Sequence, residues 1–422
     1  MFLNSILNLI DFKLLEKRNF YKILCCDNFI IMNLHLMKFV DKYAGRLICT
    51  GLTCIEFFVR SFRKKFELDP KNVRNILIIK FWGIGSIILS TPLIVALHDK
   101  FPEAEISFLT LRKNKEMLNL LPHVNKIITL DIDHGYFNFI KSFVKSVLEM
   151  RRMKLDIVFD LEFFTRFSAI VTYFSGAKEK IGFKAWEVWR GNLHTIGIPF
   201  NRYWHIKQNF FNLGTAVGIS PNSELELSEP ELGDAKGGAD SLLRGYNLKP
   251  KEYICMNPNA GELALSRKWP KENFAELTKK ILEKQTEVKV VYLGSSKESE
   301  YVKSIILSIG PNPKLIDSSG ELSLKELLIV LKNAKLLVSN DSGPLHLAVA
   351  LKTPTVSFFG PETPVLYGHS GKNNIVFFKN LDCSPCINVH ETKTHHCYKK
   401  IPDCLNMITS AEVYAEIKKL IG

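Results

Sequence analysis

Apolar and polar positions alternate in blocks along most of this chain. Asn75-Ile76-Leu77-Ile78-Ile79-Lys80 is a short, nearly continuous apolar run, the pattern of a strand covered on both faces. It breaks at Gly83-Ile84-Gly85, and the spacing then predicts a helix from about Ser86 to Lys100, stopped by Pro102. Residues 104–110 and 156–160 read as further strands, the second followed by helical periodicity from Arg166 to Tyr173. A polar, Gly- and Pro-containing region from about Ser220 to Pro250 looks like a junction, after which the alternation restarts. Strands are expected at 253–256, 288–293, 335–340 and 355–359, with helices at 271–284, 323–332, 344–351 and 410–421. Strands alternating with helices imply parallel βαβ units, hence an α/β protein with two doubly wound domains across a cleft. Ligands of such sheets lie beyond the carboxyl ends of the strands.

Residues 1–71 read differently, as short apolar runs without that alternation. Leu47 to Val59 is largely apolar and is followed by Arg60-Ser61-Phe62-Arg63-Lys64-Lys65. An apolar face beside a cationic cluster suits a helix lying on an anionic membrane surface; it also suits a helix packed on the protein with a solvated basic end. Nothing later in the chain calls on residues 1–31, and Met32 offers an alternative start.

Composition narrows the classes. The 422 residues are 46% hydrophobic and 23% charged, which excludes a disordered chain, a collagen-like repeat and a small disulfide scaffold. No run approaches the length of a membrane-spanning helix. A formal charge of +13 favours anionic partners, but no basic stripe or RNA-binding signature points to nucleic acid. Nine cysteines, an odd number, and no signal-peptide pattern argue for a reducing cytoplasmic compartment.

Three turns carry candidate chemistry. Ser339-Asn340-Asp341-Ser342-Gly343-Pro344-Leu345-His346 is a strand end, a small-residue turn and a helix start, with Pro344 suited to the first helical turn. Its amides and helix dipole make a ready anion site; His346 could donate to a phosphate and Asp341 accept from sugar hydroxyls. Asn257-Pro258-Asn259-Ala260-Gly261, with Arg267, Lys268 and Trp269 after it, would set cations against a diphosphate. Phe81-Trp82-Gly83-Ile84-Gly85-Ser86 has Gly-x-Gly, but Ile88 takes the place of a third glycine, so it is a weak nicotinamide-cofactor signal.

The ordered set of motifs resembles glycosyltransferase family 9, the ADP-heptose:lipopolysaccharide heptosyltransferases. It runs from Ile78-Ile79-Lys80 with Gly85, through Thr91-Pro92, Asp160-Leu161-Glu162, Ser175-Gly176-Ala177 and Ile181-Gly182-Phe183. Arg267-Lys268-Trp269-Pro270, Asn340 to His346, Gly360-Pro361 and Cys383-Ser384-Pro385-Cys386 complete it. The resemblance implies a GT-B fold of two Rossmann-like domains. On that division, 1–71 is an N-terminal extension and 72–225 the acceptor-side domain; 226–405 is the nucleotide-sugar domain and 406–422 a C-terminal helix returning to the first domain. It implies inverting transfer of heptose from ADP-heptose to a lipopolysaccharide core, with no cofactor or metal required, on the cytoplasmic face of the inner membrane. Transfer of another nucleotide sugar to a surface glycan is the alternative, as is a non-catalytic nucleotide-sugar-binding protein. By the same analogy the Ser342 and Gly343 amides hold the diphosphate, Asp341 contacts the donor sugar and Arg267 replaces a phosphate-side lysine; Asn259 and Lys268, from the second turn, complete the expected donor set. Leu322 lies beside adenine, and Ser296 falls where some members carry a ribose-binding glutamate. Gly85, Arg190 and His205 are expected on the acceptor side, amid Trp186, Trp189, Tyr203 and Trp204.

Many members have aspartate as catalytic base where this chain has Ser86. An inverting transfer needs a base for the attacking hydroxyl. The expectation is that Glu162, or less favourably Asp160, replaces it. Asp131-Ile132-Asp133 is read as a loop pair rather than a metal motif. Cys383, Cys386, Cys397 and Cys404 could bind a structural zinc or form a reduced thiol cluster.

Overall fold

Strands this apolar must be covered on both faces, and the computed structural model shows how. It describes residues 34–62, 69–185, 188–222, 224–233, 236–261, 265–387, 397, 399 and 402–421. Residues 1–33, the cations Arg63, Lys64 and Lys65, and Trp186 lie outside the described residues. The first sheet holds β1 (Asn75–Ile79), β2 (Glu105–Leu111), β3 (Lys126–Leu130), β4 (Ile157–Asp160), β5 (Glu179–Lys184) and β6 (Ile196–Pro199), in the order β3-β2-β1-β4-β5-β6. The second holds β7 (Tyr253–Asn257), β8 (Lys289–Tyr292), β9 (Leu315–Asp317), β10 (Leu336–Asn340), β11 (Thr355–Phe359) and β12 (Asn374–Phe378), in the order β12-β11-β10-β7-β8-β9. Every neighbouring pair in both sheets is parallel. Each sheet reverses its strand order beside its first strand, so the carboxyl ends of β1 and β4, and of β7 and β10, flank a crevice.

The helices that matter below are α1 (Leu34–Arg60), α2 (Ile84–Ile88), α3 (Thr91–Lys100), α4 (Tyr136–Arg152), α5 (Arg166–Phe174), α6 (Ile206–Asn212), α7 (Lys271–Lys284), α8 (Gly343–Ala350) and α9 (Ser410–Ile421). The single helix expected from Ser86 to Lys100 is broken into α2 and α3. Pro92 has no N–H to donate to the Ile88 carbonyl, and the Thr91 hydroxyl donates to it instead, at 2.8 Å. The junction read as a polar stretch contains a helix, Lys236–Gly245.

The C-terminal helix does not return to the first domain. Val413 and Ile417 of α9 join Phe274, Leu277 and Ile281 of α7 in the second sheet's outer core, and Lys280 donates to Ser410 at 2.9 Å. Burial of that apolar face against α7 decides the placement.

Helix α1 packs on α5, joining Cys49 to Ala169, Ile170 and Leu193 in a small cluster. Asp41 fixes the contact: its carboxylate accepts from the Arg166 amide at 2.9 Å and the Phe167 amide at 2.8 Å, capping the start of α5 from another helix. Among the described residues no helix is long and apolar enough to cross a membrane.

Asp41→Ala removes a charged cap as well as the α1–α5 tie. The expected cost is about 1–2 kcal/mol, read as a lower urea midpoint at unchanged slope. An unmoved midpoint would show that α1 is held by its apolar contacts alone.

Candidate active site

The carboxyl ends of β7, β8 and β10 surround a groove of about 290 Å³. Its walls include Asn257, Asn259, Gly294, Glu298, Leu322, and the Ser342-Gly343 start of α8. Ser342 does not cap its own helix; its hydroxyl accepts from Asn257 Nδ2 at 2.8 Å and lies 3.1 Å from the Ser339 hydroxyl. That leaves the helix start facing the groove rather than a side chain of its own. Asn259 is held by its Nδ2 donating to the Leu293 carbonyl at 3.0 Å, while its Oδ1 is buried without a hydrogen-bond partner among the described residues. A buried acceptor in that condition is costly unless a ligand donor meets it.

Asn340 stitches the turn together. Its Oδ1 accepts from the Trp269 amide at 2.9 Å and its Nδ2 donates to the Pro258 carbonyl at 2.9 Å. Beside it, Arg267 donates to Asp341 and to the Ala260 carbonyl, both at 2.6 Å. Asp341 is 2% exposed, so this is a buried ion pair that braces the groove from the side. The Lys268 ammonium stands 3.7 Å from the centre of the Tyr301 ring, and this residue does not line the groove. Ser296 is exposed, but Glu298, two residues on, lines the groove and accepts from the Ser295 amide at 2.9 Å. Gly294 and Glu298 were not singled out from the sequence; their place at the carboxyl end of β8 was the available signal.

The first lobe reaches the start of α8 as well. Helix α2 packs directly on α8. A Cβ built on Gly85 would stand 2.4 Å from His346 Cδ2 and 3.3 Å from Gly343 Cα, so only a glycine permits this approach. Gly85, expected on the acceptor side, is here a contact between lobes. His346 likewise faces Gly85, and its Nδ1 is 2.8 Å from His369 Nε2. His205 caps α6, its Nδ1 accepting from the Lys207 amide at 3.1 Å, and its ring centre is 5.0 Å from that of His369. Burial, then the charge of His369 and Lys207, pushes His205 down to about 3; burial and His346 hold His369 well below the usual range. Both are neutral near pH 7, and His205 is a lobe-interface residue rather than an open acceptor contact.

The first-lobe carboxylates are sealed. Glu162 is wholly buried, and its Oε1 accepts from the Lys80 ammonium at 2.8 Å and from the Phe81 and Trp82 amides at 2.8 and 3.1 Å. It anchors the turn that carries Ser86, and its Oε2 is buried without a hydrogen-bond partner among the described residues. Asp160 is equally buried, accepting from Arg190, from Ser168 at 3.1 Å and from His194 at 3.1 Å. Burial alone would raise its pKa, but Arg190 and then His194 overcome this and hold it below the ordinary carboxylate range. Arg190 also donates to the Glu162 carbonyl, so it ties β4 to the following loop and is not presented to an acceptor. Asp131 is paired with Arg112 at 3.0 Å and His134 at 2.9 Å in the loop after β3.

The thiols of Cys383, Cys386, Cys397 and Cys404 lie near enough to affect one another; burial, with those neighbours, pushes Cys404 up to about 11. Among the described residues no group of three or more His, Cys, Asp or Glu side chains is arranged to hold a metal ion.

Comparison with known proteins now bears on this geometry. Residues 144–398 match the model of glycosyltransferase family 9 (heptosyltransferase). Lipopolysaccharide heptosyltransferase 2 of Escherichia coli (strain K12) is 25% identical over 296 residues, covering 69% of this chain and 84% of that one. Lipopolysaccharide heptosyltransferase 1 of Campylobacter coli is 26% identical over 357 residues, 82% of this chain and 99% of that one. The solved structure of E. coli ADP-heptose lps heptosyltransferase II superposes with a TM-score of 0.66 at 22% identity, covering 83% of this chain and 98% of that one, a likeness that extends to the whole two-lobed GT-B fold. With its motifs in the family's order and more than half its length matched, the chain belongs to glycosyltransferase family 9, the heptosyltransferases.

Proposed function

We propose that this chain is an inverting glycosyltransferase that moves heptose from ADP-heptose to a lipopolysaccharide core acceptor, without a metal ion and at the cytoplasmic face of the inner membrane. The observation that carries this reading is the groove at the start of α8, the helix against which the first lobe's α2 packs. The Gly343 end of the helix would receive the diphosphate, Leu322 the flat face of adenine, and the orphan Asn259 Oδ1 a ribose or adenine donor. An acceptor hydroxyl attacks the anomeric carbon as the sugar–phosphate bond breaks; ADP leaves with the electron pair and the hydroxyl proton passes to solvent water. Charge building on the departing diphosphate is met by the helix terminus. Relatives named for lipopolysaccharide heptosyl transfer, one of them as an ADP-heptose enzyme, support the donor and the acceptor.

A second reading is favoured by one observation: Ser86 stands where a base is expected, and Glu162 and Asp160 are buried. On that reading the protein binds a nucleotide sugar without transferring it. Incubation with ADP-heptose and purified lipid acceptor separates the two. A mass gain of one heptose on the acceptor supports transfer. Thermal protection by ADP-heptose with no mass gain supports the binder, and gain from a different nucleotide sugar replaces heptose as the donor sugar.

Three outcomes follow from the geometry. ADP at about one hundred times its Kd should raise the unfolding free energy by about 2.7 kcal/mol, measured by denaturation with and without nucleotide. Gly85→Ala should push the lobes apart, cutting kcat by about a hundredfold while the Kd for ADP moves less than about twofold; equal loss in both would place Gly85 within the donor site itself. Glu162→Gln should leave Lys80 buried without its counter-charge and cost about 3–5 kcal/mol, most of it recovered by adding Lys80→Met. If Glu162 is an anchor, residual activity keeps the wild-type pH profile. Loss of the acidic limb would reinstate it as the base.

A further inference from the structure

Helices α4 and α1 flank α5 on one side of the first sheet. Phe143 of α4 packs edge-on against Phe174 of α5, with ring centres 6.5 Å apart, and Phe174 in turn borders the cluster that seats α1. Their outward faces are unusually apolar. On α1, Leu47, Ile55, Phe57, Phe58 and Phe62 just beyond it are exposed, Phe57 by 72% and Phe58 by 68%. On α4, Phe137, Ile140, Val144 and Leu148 follow helical spacing along one exposed stripe, Phe137 being 87% exposed. Large rings left in water at this density mark an interaction surface rather than chance exposure.

Charge decides what covers it. The acidic residues of α1 are Asp41 and Glu56. Asp41 is spent on the start of α5, and Glu56 is turned inward and 2% exposed. Lys42 and Arg46 are exposed on the same helix. On α4, Lys141, Lys145 and Arg152 line a groove of about 570 Å³ beside Val144 and Leu148; its one carboxylate, Glu149, is paired with Lys126 at 2.8 Å. Apolar rings framed by cations, with the carboxylates neutralised or turned in, complement an anionic bilayer and repel a basic partner.

We propose that the outward faces of α1 and α4 form one docking surface for an anionic phospholipid bilayer. The rings enter the headgroup boundary while Lys42, Arg46, Lys141 and Lys145 meet lipid phosphates. The α4 stripe begins at Phe137, just past the loop that follows the carboxyl end of β3, so it leads from the bilayer to the rim of the cleft. A lipid-borne acceptor would then present its sugars without leaving the membrane. This deepens the membrane-surface part of the reading above and names the face responsible.

The test is flotation of the full chain with phosphatidylcholine vesicles, with and without phosphatidylglycerol. Binding is expected with phosphatidylglycerol and to fall at high salt. Phe57→Ser with Phe58→Ser should reduce it more than about tenfold, and Lys141→Glu with Lys145→Glu by about tenfold. All four positions are exposed, so both variants should keep the ADP-binding of the parent, which confirms their folding independently of transfer. No flotation, or flotation unchanged in both variants, overturns the proposal. A dimer in solution that Phe57→Ser with Phe58→Ser dissociates assigns the face to a second copy and also overturns it. Absence of heptose transfer to a delipidated, soluble acceptor would instead strike the transferase reading and leave the docking face standing.

Discussion

The contact between Gly85 of one lobe and Gly343 and His346 of the other is the constraint around which this molecule is arranged. Two helix starts, each placed at the carboxyl end of a parallel sheet, approach until no Cβ fits between them. That approach brings the first lobe against the helix start that lines the donor groove. It also explains why His205 and His369 are neutral. Burial between lobes penalises imidazolium, and His205, His346 and His369 stand too close together for several charges to coexist.

Behind that contact the first lobe stabilises its turn with buried charge. Lys80 and Glu162 pair at 2.8 Å with almost no access to water, and Asp160 gathers Arg190, His194 and Ser168. Such pairs gain little over apolar packing, but each partner is expensive to remove alone. They therefore act as registers: Glu162 also accepts from two successive amides, so the path of the chain from β1 into α2 follows from where that carboxylate is held. The second lobe repeats the device with Arg267 and Asp341 beside its own turn.

The two outer helices extend the same logic to the surface. Asp41 does for α5 what a local cap would do, and in doing so it removes a negative charge from the outward side of α1. A residue spent on folding thereby leaves a face of rings and cations, and α4 carries a matching stripe to the cleft rim.

Sequence alone determined what depends on local pattern. The apolar runs of β1, β4, β7, β10 and β11 were legible because a strand buried on both faces needs little else, and the Ser342-Gly343-Pro344 turn was legible because a helix start has its own residue chemistry. Short or edge strands were not read: β9 spans three residues and β12 is only half-buried, so neither has a strong period. Tertiary structure decided every role that depends on which distant groups share a volume. Glu162 and Asp160 look like free carboxylates in the sequence, yet partners 82 and 30 residues away take them up. Gly85, Arg190 and His205 became lobe contacts or buried ties for the same reason. α9 went to α7 because an amphipathic helix specifies that it will bury a face, not which surface will receive it.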